Sequence, residues 1–149
     1  MKMPPREKIH EALTAIADER IILNKENNSA EVFSSDRSKK YLVEWNNEEY
    51  YSNDNATYWQ GYPGYPVIAV LLMQGKIDYD KDMLIYFKNI NWKALNNKFK
   101  RDYAKSVESI YASLDKIVVI DLETKIDKIY QDLAKLNIII KKSRLYPPK

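Results

Sequence analysis

Three aspartates in this sequence have a spacing that could serve a metal ion. Asp78, Asp80 and Asp82 alternate as the ligands do at the start of an EF-hand calcium loop. The sixth loop position, which needs glycine, is occupied by Met83, and the twelfth, which needs glutamate, by Asn89. Helix capping by these aspartates is therefore the favoured interpretation.

Two further acidic positions could take part in chemistry. The adjacent pair Glu48 and Glu49 could bind a hard cation, and Asp54, beside Ser52 and Asn53, could act in hydrolysis. The sequence places no second catalytic group beside Asp54. A small-molecule pocket or enzyme site around residues 51–65 remains an alternative, although we lean against an enzyme.

Several chemistries are excluded by residue types that are scarce in this chain. It has no cysteine and a single histidine, His10, so disulfides, thiolate catalysis and multi-histidine metal sites are ruled out. His10 follows Ile9 at the edge of an apolar stripe, where we expect a partly exposed surface histidine. The segment "GYPGYP" has the wrong glycine spacing for a phosphate-binding loop. We expect no cofactor and no metal.

The strongest indication of function is the basic segment "NWKALNNKFKRDYAK". On one helix, Lys98, Arg101 and Lys105 would share a side, with Lys93 and Lys100 on a neighbouring side. Such a strip could contact phosphates, and any nucleic-acid binding would be mainly through the backbone because no base-reading motif is present. The alternative is a solvated helix face. A second basic cluster near the end of the chain comprises Lys141, Lys142 and Arg144.

Aromatic residues, turn formers and all three glycines concentrate in residues 50–76, "YYSNDNATYWQGYPGYPVIAVLLMQGK". The candidate interaction surface in this segment comprises Tyr58, Trp59, Tyr62 and Tyr65. These rings could pack inward and hold the turn in place. They could instead form an exposed platform that stacks on bases or on a partner's side chains, or line a small-molecule pocket.

The overall composition predicts one globular domain. The chain has 149 residues, 45% of them hydrophobic, enough to build a core over residues 1–149. Residues 1–87 carry 10 basic and 14 acidic side chains, and residues 88–149 carry 14 and 7, so the net charges are −4 and +7. This asymmetry could attract a polyanion or a second copy of the chain. No apolar window is long enough to span a membrane and the first residues lack an apolar signal core, so we expect a cytoplasmic protein.

Residues 1–76 read as a helix, a small antiparallel sheet and a second helix. Apolar spacing predicts a helix from Pro5 to Glu19. Four short strands follow, in "RIILNK", "AEVFSS", "KKYLVEWNN" and "NEEYYSN", with turns that rely on asparagine and aspartate. Val67 to Gln74 is apolar nearly all round and predicts a buried central helix that ends at Gly75.

Residues 77–149 are predicted to form the helical half of the chain. Asp78 or Asp80 can cap a short helix, and Asn91 can cap a longer one that carries an apolar stripe to about Leu114. "KIVVI" is ambiguous between helix and strand, and Asp121 can cap a further helix. "NIIIKK" is a late strand or an extended arm that could add to a partner's sheet edge. Broad apolar stripes make a homodimer plausible.

Residues 31–76 resemble the zinc-binding SWIM module, in which a paired β unit precedes Cys-x-Cys, a spacer and a Cys-x-His that opens an apolar helix. "EVFSSDRSKKYLVEWNNEEYYSND" is similar to the β part, and "GYPVIAVLLMQGK" to the helix. The ligand positions would fall near Tyr51, Asn53, Tyr65 and Val67, none of which is a zinc ligand. The resemblance implies a ββα arrangement without metal, and an interaction role.

The whole chain also resembles a small archaeal family of unknown function, marked by a segment like "YSNDN…GYPGYPVIAVLL". This resemblance implies no activity. We therefore expect an α+β fold and a non-enzymatic binding or interaction module that self-associates, with an unidentified protein as a further candidate partner. The alternatives are a nucleic-acid-binding protein that uses the basic helix 93–105 and the aromatic loop 58–65, and a small-molecule-binding protein or enzyme with a pocket around residues 51–65.

Overall fold

A computed structural model describes residues 1–149 and shows an α+β fold, as the sequence predicts. The regular elements are α1 (Lys8–Ala17), β1 (Ile21–Asn24), β2 (Ser29–Phe33), β3 (Lys40–Asn46), β4 (Glu49–Ser52), α2 (Tyr65–Met73), α3 (Trp92–Lys98), α4 (Tyr103–Tyr111), α5 (Lys116–Lys135) and β5 (Ile139–Lys142). A π-helical turn spans Ala56–Gln60, and a 3-10 helix spans Lys81–Tyr86. No helix is long and apolar enough to cross a membrane.

The sheet has five strands in the order β1-β2-β3-β4-β5. The first four form the predicted antiparallel meander, in which Val32 pairs with Tyr41. Its tight turns use left-handed asparagines, Asn28 (φ 51°) and Asn47 (φ 55°), because asparagine tolerates positive φ better than most residues. Tyr41 and Val43 are buried on one face of β3, as strict alternation requires.

The segment "NIIIKK" contributes the fifth strand of the sheet, β5. β5 pairs with β4 of the same chain in parallel, with Tyr50 opposite Ile140. Parallel neighbours need a long crossover connection, which α2 to α5 supply. The edge of β5 that faces β4 is therefore already paired within the chain. The suggestion that this edge could join a partner's sheet is wrong.

The core lies around α2. Every side chain from Pro66 to Leu72 is buried, which confirms the predicted central helix. α1 packs on one side of α2, and the sheet contributes Ala30, Val32 and Val43. Gly75 ends the helix in the left-handed conformation (φ 76°), as its position after the apolar run predicts.

His10 is not the partly exposed surface residue that its place in the stripe suggests, since its exposed fraction is 0%. Its ring lies among Phe87, Trp92 and Tyr111, with centroid distances of 5.8, 6.3 and 6.0 Å. The reason is that α1 is covered on two sides, by α2 and by the C-terminal half, so its buried face is wider than the apolar stripe.

The predicted continuous helix from Asn91 to about Leu114 is wrong. Asn91 caps α3 as expected, accepting a hydrogen bond from the Ala94 amide at 3.1 Å. Lys100 and Arg101 then adopt left-handed conformations (φ 54° and 66°), which cannot continue a right-handed helix. Asp102 starts α4 by accepting a hydrogen bond from the Lys105 amide at 3.3 Å.

Two other capping predictions have different outcomes. Asp80 accepts a hydrogen bond from the Asp82 amide at 3.0 Å, so capping by the aspartate cluster is confirmed. Asp121 does not cap a helix, because α5 already begins at Lys116 and "KIVVI" forms its first turns. Asp121 instead pairs with Lys125 at 2.9 Å, one turn further along α5.

Candidate functional site

A cleft of about 660 Å³ opens between α1, the β2–β3 turn, the aromatic loop that precedes α2, and α3. Its volume lies within the range of small-molecule sites in proteins, about 300–1,000 Å³. Four separate segments of the chain build its walls, so no local spacing in the sequence could reveal it.

The aromatic loop is held in place by buried polar contacts around Asp54. The Asp54 carboxylate accepts hydrogen bonds from Ser52 Oγ at 2.6 Å and from the Thr57 amide at 3.0 Å. Thr57 Oγ1 in turn accepts from the Gly64 amide at 2.9 Å. A Cβ on Gly64 would lie 2.0 Å from Asp54 Oδ1, so only glycine fits against this carboxylate. Asp54 is 3% exposed and does not line the cleft, which assigns it to holding the loop rather than to hydrolysis.

Three of the four predicted aromatic residues line the cleft. Trp59 is 65% exposed, and Tyr62 and Tyr65 are half-buried beside it. The fourth, Tyr58, lies outside the cleft and packs on Trp59 and Tyr146, with ring centroids 4.7 and 5.9 Å apart. The loop therefore presents one exposed ring, Trp59, and three half-buried ones.

Of the five predicted phosphate contacts, only Lys93 and Arg101 line the cleft. Lys98, Lys100 and Lys105 lie outside it. The left-handed turn between α3 and α4 separates Arg101 from the helix side that it was expected to share with Lys98 and Lys105. The single basic strip on one helix is therefore wrong. The same break leaves Arg101 lining the cleft.

Five basic side chains line the cleft against one carboxylate, that of Glu11. Three of them, Lys8, Arg20 and Lys39, were not predicted from the sequence. These residues are distant in sequence from the basic segment, and only the fold brings them to it. Lys39 and Arg101 form no ion pair, so their charges are free to meet a ligand.

The floor of the cleft is a buried polar chain. Lys8 Nζ lies 3.0 Å from Glu11 Oε2 and 4.8 Å from the ring centre of Tyr103. Asn96 Nδ2 donates to Glu11 Oε1 at 2.9 Å. Burial acts to lower the pKa of Lys8, but the charge and hydrogen bond of Glu11 outweigh it, and the pKa of Lys8 is raised. Lys8 therefore keeps its positive charge at neutral pH.

Arg20 lies at the back of the cleft with 2% of its surface exposed. Its Nη1 donates to the Phe33 carbonyl at 2.5 Å, and its guanidinium lies 6.0 Å from the ring centre of Tyr65. Its Nε has no hydrogen-bond partner, and the nearest carboxylate oxygen, on Asp18, is 4.0 Å away. Burying an arginine with an unused donor is costly, and an anion in the cleft would relieve that cost.

Three tyrosines of the cleft, Tyr65, Tyr41 and Tyr62, stay neutral. Burial raises the pKa of Tyr65, Tyr41 and Tyr62 above the ordinary value. At neutral pH they therefore present flat rings and hydroxyl groups rather than negative charge. The cleft combines unpaired cations with aromatic faces, which suits a ligand with negative charge and a planar ring.

A second polar cluster lies under a groove between α1, α4 and α5. Glu123 accepts hydrogen bonds from Arg6 Nη1 at 3.1 Å and from Tyr111 Oη at 3.3 Å, and its carboxylate lies 3.4 Å from His10 Nε2. These contacts join the start of the chain to α5. His10 also lines this groove, but it is fully buried and neither of its ring nitrogens has a hydrogen-bond partner.

The positions that the SWIM resemblance assigns to zinc ligands do not converge on a metal site. Asn53 instead accepts a hydrogen bond from the Leu42 amide at 2.8 Å and donates to the Tyr146 carbonyl at 3.2 Å. Val67 is fully buried in the core. No three His, Cys, Asp or Glu side chains lie together in a way that could hold a metal ion.

Comparison with known proteins shows the family. The family model described as Uncharacterised conserved protein UCP014422 matches residues 1–139. The chain belongs to this family. No curated protein and no solved structure matches the chain. Every residue that lines the cleft lies within the range matched by UCP014422.

Proposed function

We propose that this protein binds a nucleotide unit, a phosphate with its base, in the basic aromatic cleft. The observation that carries the proposal is the convergence of five cations and the exposed Trp59 in one cleft of about 660 Å³. Cations attract phosphate, and aromatic side chains stack on bases with about 1–3 kcal/mol per base. The nucleotide unit could be free or part of a single strand.

The chemistry of the cleft favours binding without a reaction. Its one carboxylate, Glu11, is already held by Lys8 and Asn96, so it is poorly placed to act as a general base. No cysteine is present, and His10 does not line the cleft. The resemblance to SWIM interaction modules agrees with a binding role.

Calorimetry with adenosine 5′-monophosphate, adenosine and inorganic phosphate tests the proposal. A fluorescein-labelled oligothymidylate, titrated across a salt series, distinguishes a strand from a free nucleotide. We expect the monophosphate to bind more tightly than adenosine or phosphate alone, because it engages both cations and rings. If neither the monophosphate nor the oligonucleotide binds at low salt, the proposal is wrong.

A matched pair of variants locates the site. Lys39→Glu/Arg101→Glu reverses two unpaired cations in the cleft, and Lys98→Glu/Lys105→Glu reverses two cations outside it. Both change the net charge equally. We expect the first to weaken binding at least about tenfold and to lower the salt slope for the oligonucleotide by about 1.4, at ~0.7 per phosphate contact. The second should retain binding to within about threefold. Equal losses in both variants would contradict binding in the cleft.

We also propose that two copies of the chain associate through α5, whose Ile117 and Ile120 are 81% and 66% exposed. Large exposed apolar side chains on neighbouring turns are a common feature of homodimer interfaces. Analytical ultracentrifugation should show a concentration-dependent dimer that Ile117→Lys/Ile120→Lys abolishes. A wild-type monomer at all concentrations would refute this proposal and leave the cleft unaffected.

A further inference from the structure

A second cavity of about 410 Å³ lies beside the cleft, on the other side of the β2–β3 turn. The end of α1, the tip of this turn and the segment before α3 form its walls. It shares two lining residues with the cleft, Arg20 and Ser35. The two cavities are therefore neighbours over a common floor rather than separate sites.

Free positive charge continues from the cleft into the second cavity. Arg37 and Lys88 line it, are exposed, and form no ion pair with a carboxylate. Arg37 Nη2 makes a single hydrogen bond, 3.1 Å long, to the Asp18 carbonyl. The Asp18 carboxylate is occupied, because Oδ1 accepts from the Asn89 amide at 2.8 Å and Oδ2 faces Arg20. Glu19, which is exposed and in no ion pair, also lines this cavity, so a phosphate there would meet two available cations and one carboxylate.

The second cavity differs from the cleft in having no aromatic side chain in its walls. It can therefore attract a phosphate but offers no ring for a base to stack on. Between the cavities, Ser35 Oγ lies 3.3 Å from Asn91 Oδ1 and 3.4 Å from the Lys93 amide. This contact forms a low bridge that a ligand must cross to occupy both cavities.

We propose, on the basis of the proposed function, that the ligand is a single-stranded nucleic acid that occupies both cavities. One base stacks in the cleft on Trp59, and the backbone crosses the Ser35 bridge so that the next phosphates meet Arg37 and Lys88. A free mononucleotide fills the cleft alone. A duplex cannot place an unpaired base on Trp59 and binds more weakly.

Binding as a function of oligonucleotide length tests this extension. The probes are thymidine 5′-monophosphate and oligothymidylates of about 2, 4, 8 and 12 nucleotides, a range that approaches the ~4–16 nucleotides of known single-strand sites. We expect affinity to rise at least about tenfold from the monophosphate to the longer probes and then to level off. An annealed duplex of the longest probe is the competitor that separates single from double strands.

The variant Arg37→Glu/Lys88→Glu removes the second cavity's free cations, and Lys98→Glu/Lys105→Glu again provides the charge-matched control. We expect the first variant to bind the longer probes with an affinity lower by about tenfold or more, while its affinity for the monophosphate stays unchanged. Circular dichroism checks that both variants fold.

The outcomes separate the two proposals. If the monophosphate binds and length adds nothing, or if the Arg37/Lys88 variant binds long probes like the control, the ligand is a free nucleotide and the extension is wrong. If the duplex binds as tightly as the single strand, the stacking step is wrong. If no probe binds, the proposed function fails and the extension fails with it.

Discussion

Replacing Gly64 by alanine tests the contact that holds the aromatic loop. Gly64 has φ −74° and ψ 173°, a conformation that any L-residue can adopt, so the backbone itself does not require glycine. The restriction comes from Asp54, since a Cβ would lie 2.0 Å from its Oδ1, 2.7 Å from its Cγ and 3.1 Å from its Oδ2. The loop or the carboxylate must therefore move.

Either movement is costly. If Asp54 moves, it loses the hydrogen bonds from Ser52 and Thr57, and bonds to a charged group contribute about 1.5–3 kcal/mol each. If the loop moves instead, overpacking of this kind costs about 1–3 kcal/mol. We therefore expect Gly64→Ala to lower the free energy of unfolding by about 3 kcal/mol, measured by urea denaturation with linear extrapolation.

Two companion variants make the test specific. Gly61→Ala has nothing within 4 Å of the added Cβ, and its φ of +76° should cost only about 1 kcal/mol. In an Asp54→Ala background the clash is gone, so the added cost of Gly64→Ala should fall below about 1 kcal/mol. The reasoning is refuted if Gly64→Ala costs no more than Gly61→Ala, or if its full cost persists without the Asp54 carboxylate.

Three further predictions follow from other contacts. Trp59→Ala should weaken nucleotide binding by about 1–3 kcal/mol in calorimetry. Tyr146→Ala, which removes an exposed ring outside the cleft, should leave binding unchanged. Although burial acts to raise the pKa of Glu123, its contacts with His10 and Arg6 lower that pKa below 4.5. The Glu123 carboxylate thus stabilises the fold above about pH 4.5 and loses this effect as the pH falls. The difference in free energy of unfolding between the wild type and Glu123→Gln should therefore shrink from pH 7 to pH 3. A constant difference would contradict this. Lys100→Gly should raise the melting temperature, because φ at Lys100 is 54° and glycine removes a cost of about 1 kcal/mol there; a lower melting temperature would count against it.

The elements whose signal is local could be predicted from the sequence. Alternation in "KKYLVEWNN" predicts β3, and the apolar run after Pro66 predicts α2 and its burial. Asn91 and Asp80 were identified as caps because their side chains bond amides two or three residues away. In each case the residues that determine the element lie close together in the sequence.

Features that depend on distant contacts could not be predicted. The break at Lys100 and Arg101 follows an apolar stripe that would fit a continuous helix equally well, and only the Asp102 cap hints at it. β5 finds its partner β4 about ninety residues earlier in the chain. The burial of His10 depends on rings that arrive from residues 87–111.

Only part of the candidate site could be predicted from the sequence, because its assembly also depends on distant contacts. The aromatic loop and the basic segment were both identified, but their meeting in one cleft depends on tertiary structure. Lys8 and Arg20 had no signal of their own, because isolated basic residues next to a helix are usually solvent-exposed. Here Arg20 is buried and Lys8 is partly buried, each beside a tyrosine ring, and each lines the cleft.

The central claim is most directly tested by the tryptophan side-chain signals in ¹H–¹⁵N NMR spectra during titration with adenosine 5′-monophosphate. The chain has three tryptophans. Trp59 is exposed in the cleft, whereas Trp45 lies on the sheet outside it and serves as an internal control. We predict that the Trp59 indole signal shifts with the calorimetric affinity while the Trp45 signal stays in place. Binding that leaves Trp59 unchanged, or that shifts Trp45 instead, would contradict the assignment of the cleft as the nucleotide site.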